Sequence, residues 1–178
     1  SSPFPMIKLL RNTYLESLHF GSAIVVGPDS SILIKWGNPD QIIFPRSAMK
    51  IIQAIPLVES RAASAFKLKA EHLAIACSSH QGSPFQTSII KKWLRGIGLK
   101  EENLKCGIQP PSDRIERQKL IAEGKKPSVI HNNCSGKHTG FLTVVQNSKF
   151  DYDYTDVDHP LQQKVRTVLE DLSGEEIN

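Results

Sequence analysis

Leu18-His19-Phe20-Gly21-Ser22-Ala23-Ile24-Val25-Val26-Gly27-Pro28-Asp29-Ser30-Ser31-Ile32-Leu33-Ile34-Lys35-Trp36 sets two apolar-rich runs on either side of a four-residue break. Proline at the second position of Gly27-Pro28-Asp29-Ser30 fixes φ near the value a β-turn needs there. The stretch therefore predicts a β-hairpin with strands over 18–26 and 32–36. Beyond Pro45 the apolar spacing changes to a helical one. Ile51, Ile52 and Ile55 form a first group, within a helix expected over Ile51 to Val58. Leu73, Ala74, Ala76 and Cys77 form a second, and Ile89, Ile90, Trp93, Leu94 and Ile97 a third with Gly98 near its stop. Pro160 opens a last stripe, Leu161, Val165, Val168, Leu169 and Leu172, and Gly174 follows it. No internal repeat or low-complexity linker is present.

Two strands followed by helices predict an α/β chain in the α+β arrangement, an antiparallel sheet with flanking helices, in a single domain over residues 1–178. A lone hairpin is marginal in water unless more sheet or a helix covers it. The expectation is that further strands lie beyond residue 178 or come from a partner chain, so that these residues are the N-terminal portion of a domain.

Composition narrows the function classes. The 178 residues are 39% hydrophobic and 22% charged, an ordinary globular balance. No apolar run approaches the roughly 18 residues that span a bilayer, and Ser1-Ser2-Pro3-Phe4-Pro5 lacks the basic-then-apolar order of a secretory signal. The net charge of +4 is scattered, and the aromatics do not interleave with the basic residues as a base-stacking platform would. A small-molecule substrate is expected, with no nucleic acid and no membrane; the charge suits an anionic substrate slightly better than a neutral one and serves mostly solubility. Cys77, Cys106 and Cys134 cannot all pair within one chain, and their spacing matches no zinc ribbon or redox pair. Reduced thiols of a cytoplasmic protein are expected.

Chemistry-bearing groups concentrate in Asn132-Asn133-Cys134-Ser135-Gly136-Lys137-His138-Thr139-Gly140. Upstream, Val129-Ile130 after Pro127 reads as a strand; downstream, Phe141, Leu142, Val144 and Val145 read as a helix. A polar loop opening a helix leaves backbone N–H groups free for an anion or a polarised carbonyl. Asn and Ser as simple caps explain any single residue of the segment, but not the whole cluster.

Two further segments offer nucleophiles. Pro45-Arg46-Ser47-Ala48-Met49-Lys50 sets a serine at a helix opening with a lysine three residues on, on the same face. A neutral amine beside a hydroxyl can take its proton and activate it. Ser64 with Lys67 and Ser88 with Lys91 share the spacing, so the element boundary at Pro45 is what singles out Ser47. In Cys77-Ser78-Ser79-His80-Gln81-Gly82 an apolar segment ends in small polar groups, the pattern of a helix stop or of a catalytic loop in which Ser79 joins a proton relay and His80 orients it. Glu59 reads as a surface glutamate, free to pair with Arg61 or with a substrate ammonium.

The strings FPRSAMK, PLVES, LAIACSSHQGSPF, HNNCSGKHTGF and DHPLQQ, in this order and at these separations, resemble the L-asparaginase II family, the serine–lysine or rhizobial-type class of asparaginases. The resemblance runs from about Gly21 to Gly174. It implies the fold of serine β-lactamases and glutaminases, and hydrolysis of L-asparagine to L-aspartate and ammonia. It also implies Ser47 as nucleophile, Lys50 as its base and Ser79 as a second serine that shuttles or positions a proton. Substrate contacts are implied at Arg46, Glu59, His80, Asn133 and Gly136, and a dimer is implied as the assembly.

The same resemblance implies Cys134 and Lys137 as holders of a zinc ion that supports substrate binding. By residue type alone, Cys134 and His138 at i and i+4 form the more ordinary pair, since a lysine ligand must first lose its proton. Family members are nearly twice as long and carry an Asp-Gly-Cys segment and a second-serine lysine beyond this point, which implies an incomplete pocket here. Two other readings follow: an acylating enzyme of the penicillin-recognising or glutaminase type, and a non-catalytic half-domain that binds metal or an amino acid.

Overall fold

The computed structural model describes residues 3–177; Ser1, Ser2 and Asn178 lie outside them. The chain divides between Phe44 and Pro45 into two compact units.

The first unit is built from two separate antiparallel pairs. Strand β1 (Phe4–Arg11) pairs with β2 (Tyr14–Gly21), from Phe4 opposite Gly21 to Arg11 opposite Tyr14. The turn between them has Asn12 at φ 57°, a left-handed conformation that asparagine tolerates better than most side chains. Strand β3 (Ala23–Val26) pairs with β4 (Ile32–Trp36), Ala23 opposite Trp36. Around Pro28 the expected turn is present: Gly27 N–H donates to Ser31 O at 2.8 Å and Ser30 N–H to Gly27 O at 3.0 Å.

The expected strand over 18–26 is instead the end of one strand and the whole of another, and β1 was not anticipated. The Ser22 hydroxyl accepts the Asn38 N–H at 2.9 Å, while a Cβ on Gly37 would lie 2.6 Å from Gly21 O. That close approach redirects the chain between β2 and β3. Strand β1 hides from periodicity because Met6-Ile7 and Leu9-Leu10 are apolar doublets rather than alternations. No described residue of this unit is buried, and Ile42 and Phe44 are 97% and 91% exposed.

The second unit is helical. After a 3-10 turn over Arg46–Met49 come α1 (Lys50–Gln53), α2 (Ile55–Glu59), α3 (Ala62–Ala65), α4 (Ala70–Cys77), α5 (Pro84–Gly96), α6 (Arg114–Ala122), α7 (Ser135–Ser148) and α8 (Pro160–Ser173). The helix expected over Ile51 to Val58 breaks at Ala54, because Pro56 has no N–H to continue the ladder. The expected strand at Val129-Ile130 is a 3-10 turn, Val129–His131. There the Asn132 N–H closes onto Val129 O, and the Ser128 N–H is taken by His131 Nδ1 at 3.0 Å.

Helix α7 is the axis of this unit. Ten of its residues are buried, and it packs on α4 with Leu57, Trp93, Leu94 and Leu161 in the shared core. The fit against α4 is close: a Cβ on Gly136 would stand 2.5 Å from the Ile75 carbonyl oxygen. The ends of α4 and α7 that meet here carry Ser79 and Cys134. Mixed helices and small antiparallel sheets make the fold α/β, as the sequence predicts.

Candidate active site

Lys50 opens α1 and is only 3% exposed. Its ammonium reaches three acceptors: Ser79 Oγ at 2.7 Å, Ser78 O at 3.0 Å and Asn133 O at 3.3 Å. Two of these are carbonyls, which only accept; the third is a hydroxyl, which also donates. Ser79 lies just past the end of α4 and is exposed, so the buried amine meets solvent beside a hydroxyl.

Ser47 stands elsewhere in the same unit. It is exposed in the 3-10 turn, its carbonyl accepts the Lys50 N–H, and among the described residues no hydrogen bond joins its hydroxyl to the Lys50 amine. Arg46, before it, is exposed with φ 52°, a left-handed backbone unusual for a branched or long side chain. Glu59 is exposed at the end of α2 and lines a groove of about 430 Å³ with Gln163, Lys164, Thr167 and Asp171 of α8.

His80 is 3% exposed, and its backbone N–H and both ring nitrogens are engaged. Its N–H donates to Asn133 O at 3.2 Å, Gly82 N–H donates to its Nδ1 at 3.1 Å, and its Nε2 lies 2.8 Å from Ser135 Oγ. Burial, then the neighbouring Lys50 charge and His131, push its pKa down to about 4. Asn132 is buried and satisfied: its Nδ2 donates to Cys106 O at 2.8 Å and Gly107 O at 3.1 Å, and its Oδ1 accepts the Cys134 N–H at 2.8 Å. Asn133 is half-buried, with its Oδ1 taking the Cys134 thiol at 3.2 Å. Gly136 faces Ile75 of α4 and works as the close-packing residue described above.

His138 is buried, and its Nδ1 lies 2.9 Å from the Tyr154 hydroxyl, which also accepts the Lys105 N–H at 2.8 Å. Burial, with Lys137 and Lys50 nearby, holds the His138 pKa near 3. Lys137 is half-buried with its amine 5.5 Å from the centre of the Phe141 ring, beside Gln53, Ala54 and Leu57. Burial lowers its pKa and the Cys134 thiol opposes that shift. Burial likewise pushes the Cys106 thiol up to about 11.

Cys134 and Lys137 supply two donors of the set that a zinc ion takes. Zinc in proteins takes four donors, or three and a water. Here the thiol is turned to Asn133 Oδ1 and the amine to Phe141, and no group of three His, Cys, Asp or Glu among the described residues is placed to hold a metal. All three cysteines are free. No helix of the described residues is long and apolar enough to cross a membrane.

The structure thus brings Lys50, Ser79, His80 and Asn133 together with Cys134 and Lys137 alongside, and leaves Ser47, Arg46 and Glu59 on the surface. Asn132, Ser135 and Tyr154 carry much of the scaffold; the first two lie in the polar segment that the sequence marks but take no individual role there, and Tyr154 is not marked at all. Their partners sit up to 55 residues away, and no local spacing reports such bonds. No curated protein matches the chain. Residues 7–178 match the family model described as L-asparaginase II, essentially the whole chain, and the protein belongs to that family.

Proposed function

We infer that this chain is an amidohydrolase that converts L-asparagine and water to L-aspartate and ammonia through an acyl-enzyme on Ser47. Family membership supplies the reaction class. The observation that carries the reading is the buried Lys50 amine, held by two carbonyls and one exposed serine hydroxyl one helical turn from Ser47. When the amine is neutral, two N–H bonds serve the carbonyls and its lone pair faces Ser79 Oγ–H. A proton leaving Ser47 then reaches Lys50 through Ser79.

Ser47 Oγ attacks the side-chain amide carbon, its proton passes by Ser79 to Lys50, and the same proton returns to the leaving nitrogen as ammonia departs. Water then adds to the ester carbon, and Ser47 Oγ regains a proton as aspartate leaves. Substrate contacts from Arg46, Asn133 and Glu59 belong to this reading. So do an assembly as a dimer and a supporting zinc ion at Cys134 and Lys137, although no step above uses a metal.

The test is ammonia release from L-asparagine by the chain and by its Ser47→Ala variant. Release that disappears in the variant supports the acyl-enzyme; release that persists moves the nucleophile to Ser79. The exposed setting of Ser47, unbonded to Lys50, favours a second reading, a non-catalytic amino-acid-binding module. Calorimetric binding of L-asparagine without ammonia release would select it.

A further inference from the structure

The acceptors around Lys50 come from two segments that are far apart in sequence, Ser78-Ser79 after α4 and Asn133 before α7. Something must keep these segments in register for the amine to stay where it is. Among the described residues, His80 joins the two segments by hydrogen bonds that do not pass through the Lys50 amine. The His80 N–H meets Asn133 O, and its ring meets Ser135 Oγ two residues further on. Resting on the reading of Lys50 as the base, the geometry points to His80 as a positioning residue that, through Ser135, holds the Asn133 carbonyl on the Lys50 amine and never touches the substrate.

The direction of each bond is determined. Gly82 N–H donates to Nδ1, so Nδ1 has no proton and a neutral ring carries its proton on Nε2. Nε2–H then donates to Ser135 Oγ, and the Ser135 hydroxyl proton goes on to Ile130 O at 2.8 Å. Ser135 and Ile130 are fully buried, so water cannot replace either bond. The low pKa of His80 keeps the ring neutral at any pH at which an amine base works. Gly82 is equally constrained: its φ is +72°, and a Cβ there would stand 2.8 Å from His131 O. With both nitrogens used and almost no exposed surface, the ring offers a substrate neither a donor nor an acceptor.

The experiment has two arms. In the intact chain, ¹⁵N-histidine spectra should show His80 as the Nε2–H tautomer with no titration between about pH 5 and 9. An Nδ1–H tautomer, or ordinary titration, overturns the proposal. In the second arm, His80→Leu should lower kcat about 100-fold with KM nearly unchanged, the pattern of a misplaced catalytic group. His80→Gln, whose amide N–H can still reach Ser135, should recover most of that loss. A raised KM at unchanged kcat would place the ring on the substrate and overturn the proposal.

Competitive acetylation gives a readout without turnover. The labelling ratio of Lys50 to the exposed Lys149 should rise several-fold in His80→Leu and stay low in His80→Gln. An unchanged ratio sinks the clamp. Should His80→Leu fail to fold, Ser135→Ala removes the acceptor instead and should raise the same ratio. If the wild-type chain releases no ammonia while the tautomer and labelling behave as stated, the asparaginase reading falls and the clamp stands.

Discussion

Ser79 and Ser47 are both exposed hydroxyls at the edges of helical elements, yet their surroundings differ in kind. Ser79 Oγ is 2.7 Å from a buried amine that is itself fixed by two carbonyls, and a network of buried bonds through His80, Ser135 and Asn132 stands behind it. Ser47 sits exposed in a single 3-10 turn beside a left-handed Arg46. The first setting is preorganised by tertiary contacts and the second by local backbone alone. Groups that must hold a proton at a defined place belong in the first, and a group that must meet a substrate can occupy the second.

The strongest way to break this comparison is Lys50→Met. Turnover should fall about 10²- to 10⁴-fold, the usual range for a lost proton acceptor. Stability should fall too, because the Ser78 and Asn133 carbonyls lose their donor in a buried setting, at roughly 1–3 kcal/mol each. Ser47→Ala should match the activity loss with a stability change below about 1 kcal/mol. Thermal melts beside ammonia assays check both; equal destabilisation by the two variants would erase the distinction.

Acidification probes the buried side of the comparison alone. His80 and His138 have folded pKa values of about 4 and about 3, below the ordinary histidine value near 6.5. The unfolded chain therefore binds protons that the folded chain refuses as pH falls from about 6.5, and stability declines until about 4 for His80 and 3 for His138. Above pH 6.5 neither group changes stability. Urea midpoints at pH 8, 6.5 and 4.5 should drop over the lower interval, and His138→Gln should flatten the drop. A profile flat from pH 8 to 4.5 would mean that these rings are not held neutral.

Gly136 tests the packing that brings the two segments together. Gly136→Ala drives a Cβ toward the Ile75 carbonyl, where the present gap is 2.5 Å, so α7 must shift against α4. A loss of roughly 1–3 kcal/mol is expected, read as a lower melting temperature. Because Ser79 and Asn133 sit at the two shifted ends, turnover should fall along with it. Retained stability would show that the helices have slack there.

The fold was legible where the chain announces its own breaks. Gly27-Pro28-Asp29-Ser30 produced the turn, Pro160 and Gly174 bracketed α8, and Gly98 lies just past the end of α5. Helix α6 went unread because its few apolar residues are set among charges, although Asp113 and Glu116 stand at N-cap spacing and Asp113 accepts the Glu116 N–H at 2.7 Å. In the site, the serine–lysine spacing pointed to Ser47 and Lys50, but the amine's hydroxyl partner is Ser79, 29 residues on. Periodicity reports which face a residue lies on. It does not report that α4 and α7 meet closely at Gly136 and bring Ser79 and Asn133 onto one amine.

Glu59 gives the smallest expected effect and the sharpest limit on the site. The resemblance assigns it to substrate, while its carboxylate lies exposed where α2 meets α8, in a groove whose other walls are Gln163, Thr167 and Asp171. No described group of the Lys50 cluster lines that groove. An exposed carboxylate without a buried partner contributes within about 0.5 kcal/mol to stability. Glu59→Gln should therefore leave the melting temperature in place, and its kinetics decide the extent of the pocket. Unchanged KM for L-asparagine would confine binding to the ends of α4 and α7. A KM raised tenfold at constant kcat would instead give the α2 end a substrate ammonium to hold, since losing one charge-assisted contact corresponds to about 1.4 kcal/mol of binding.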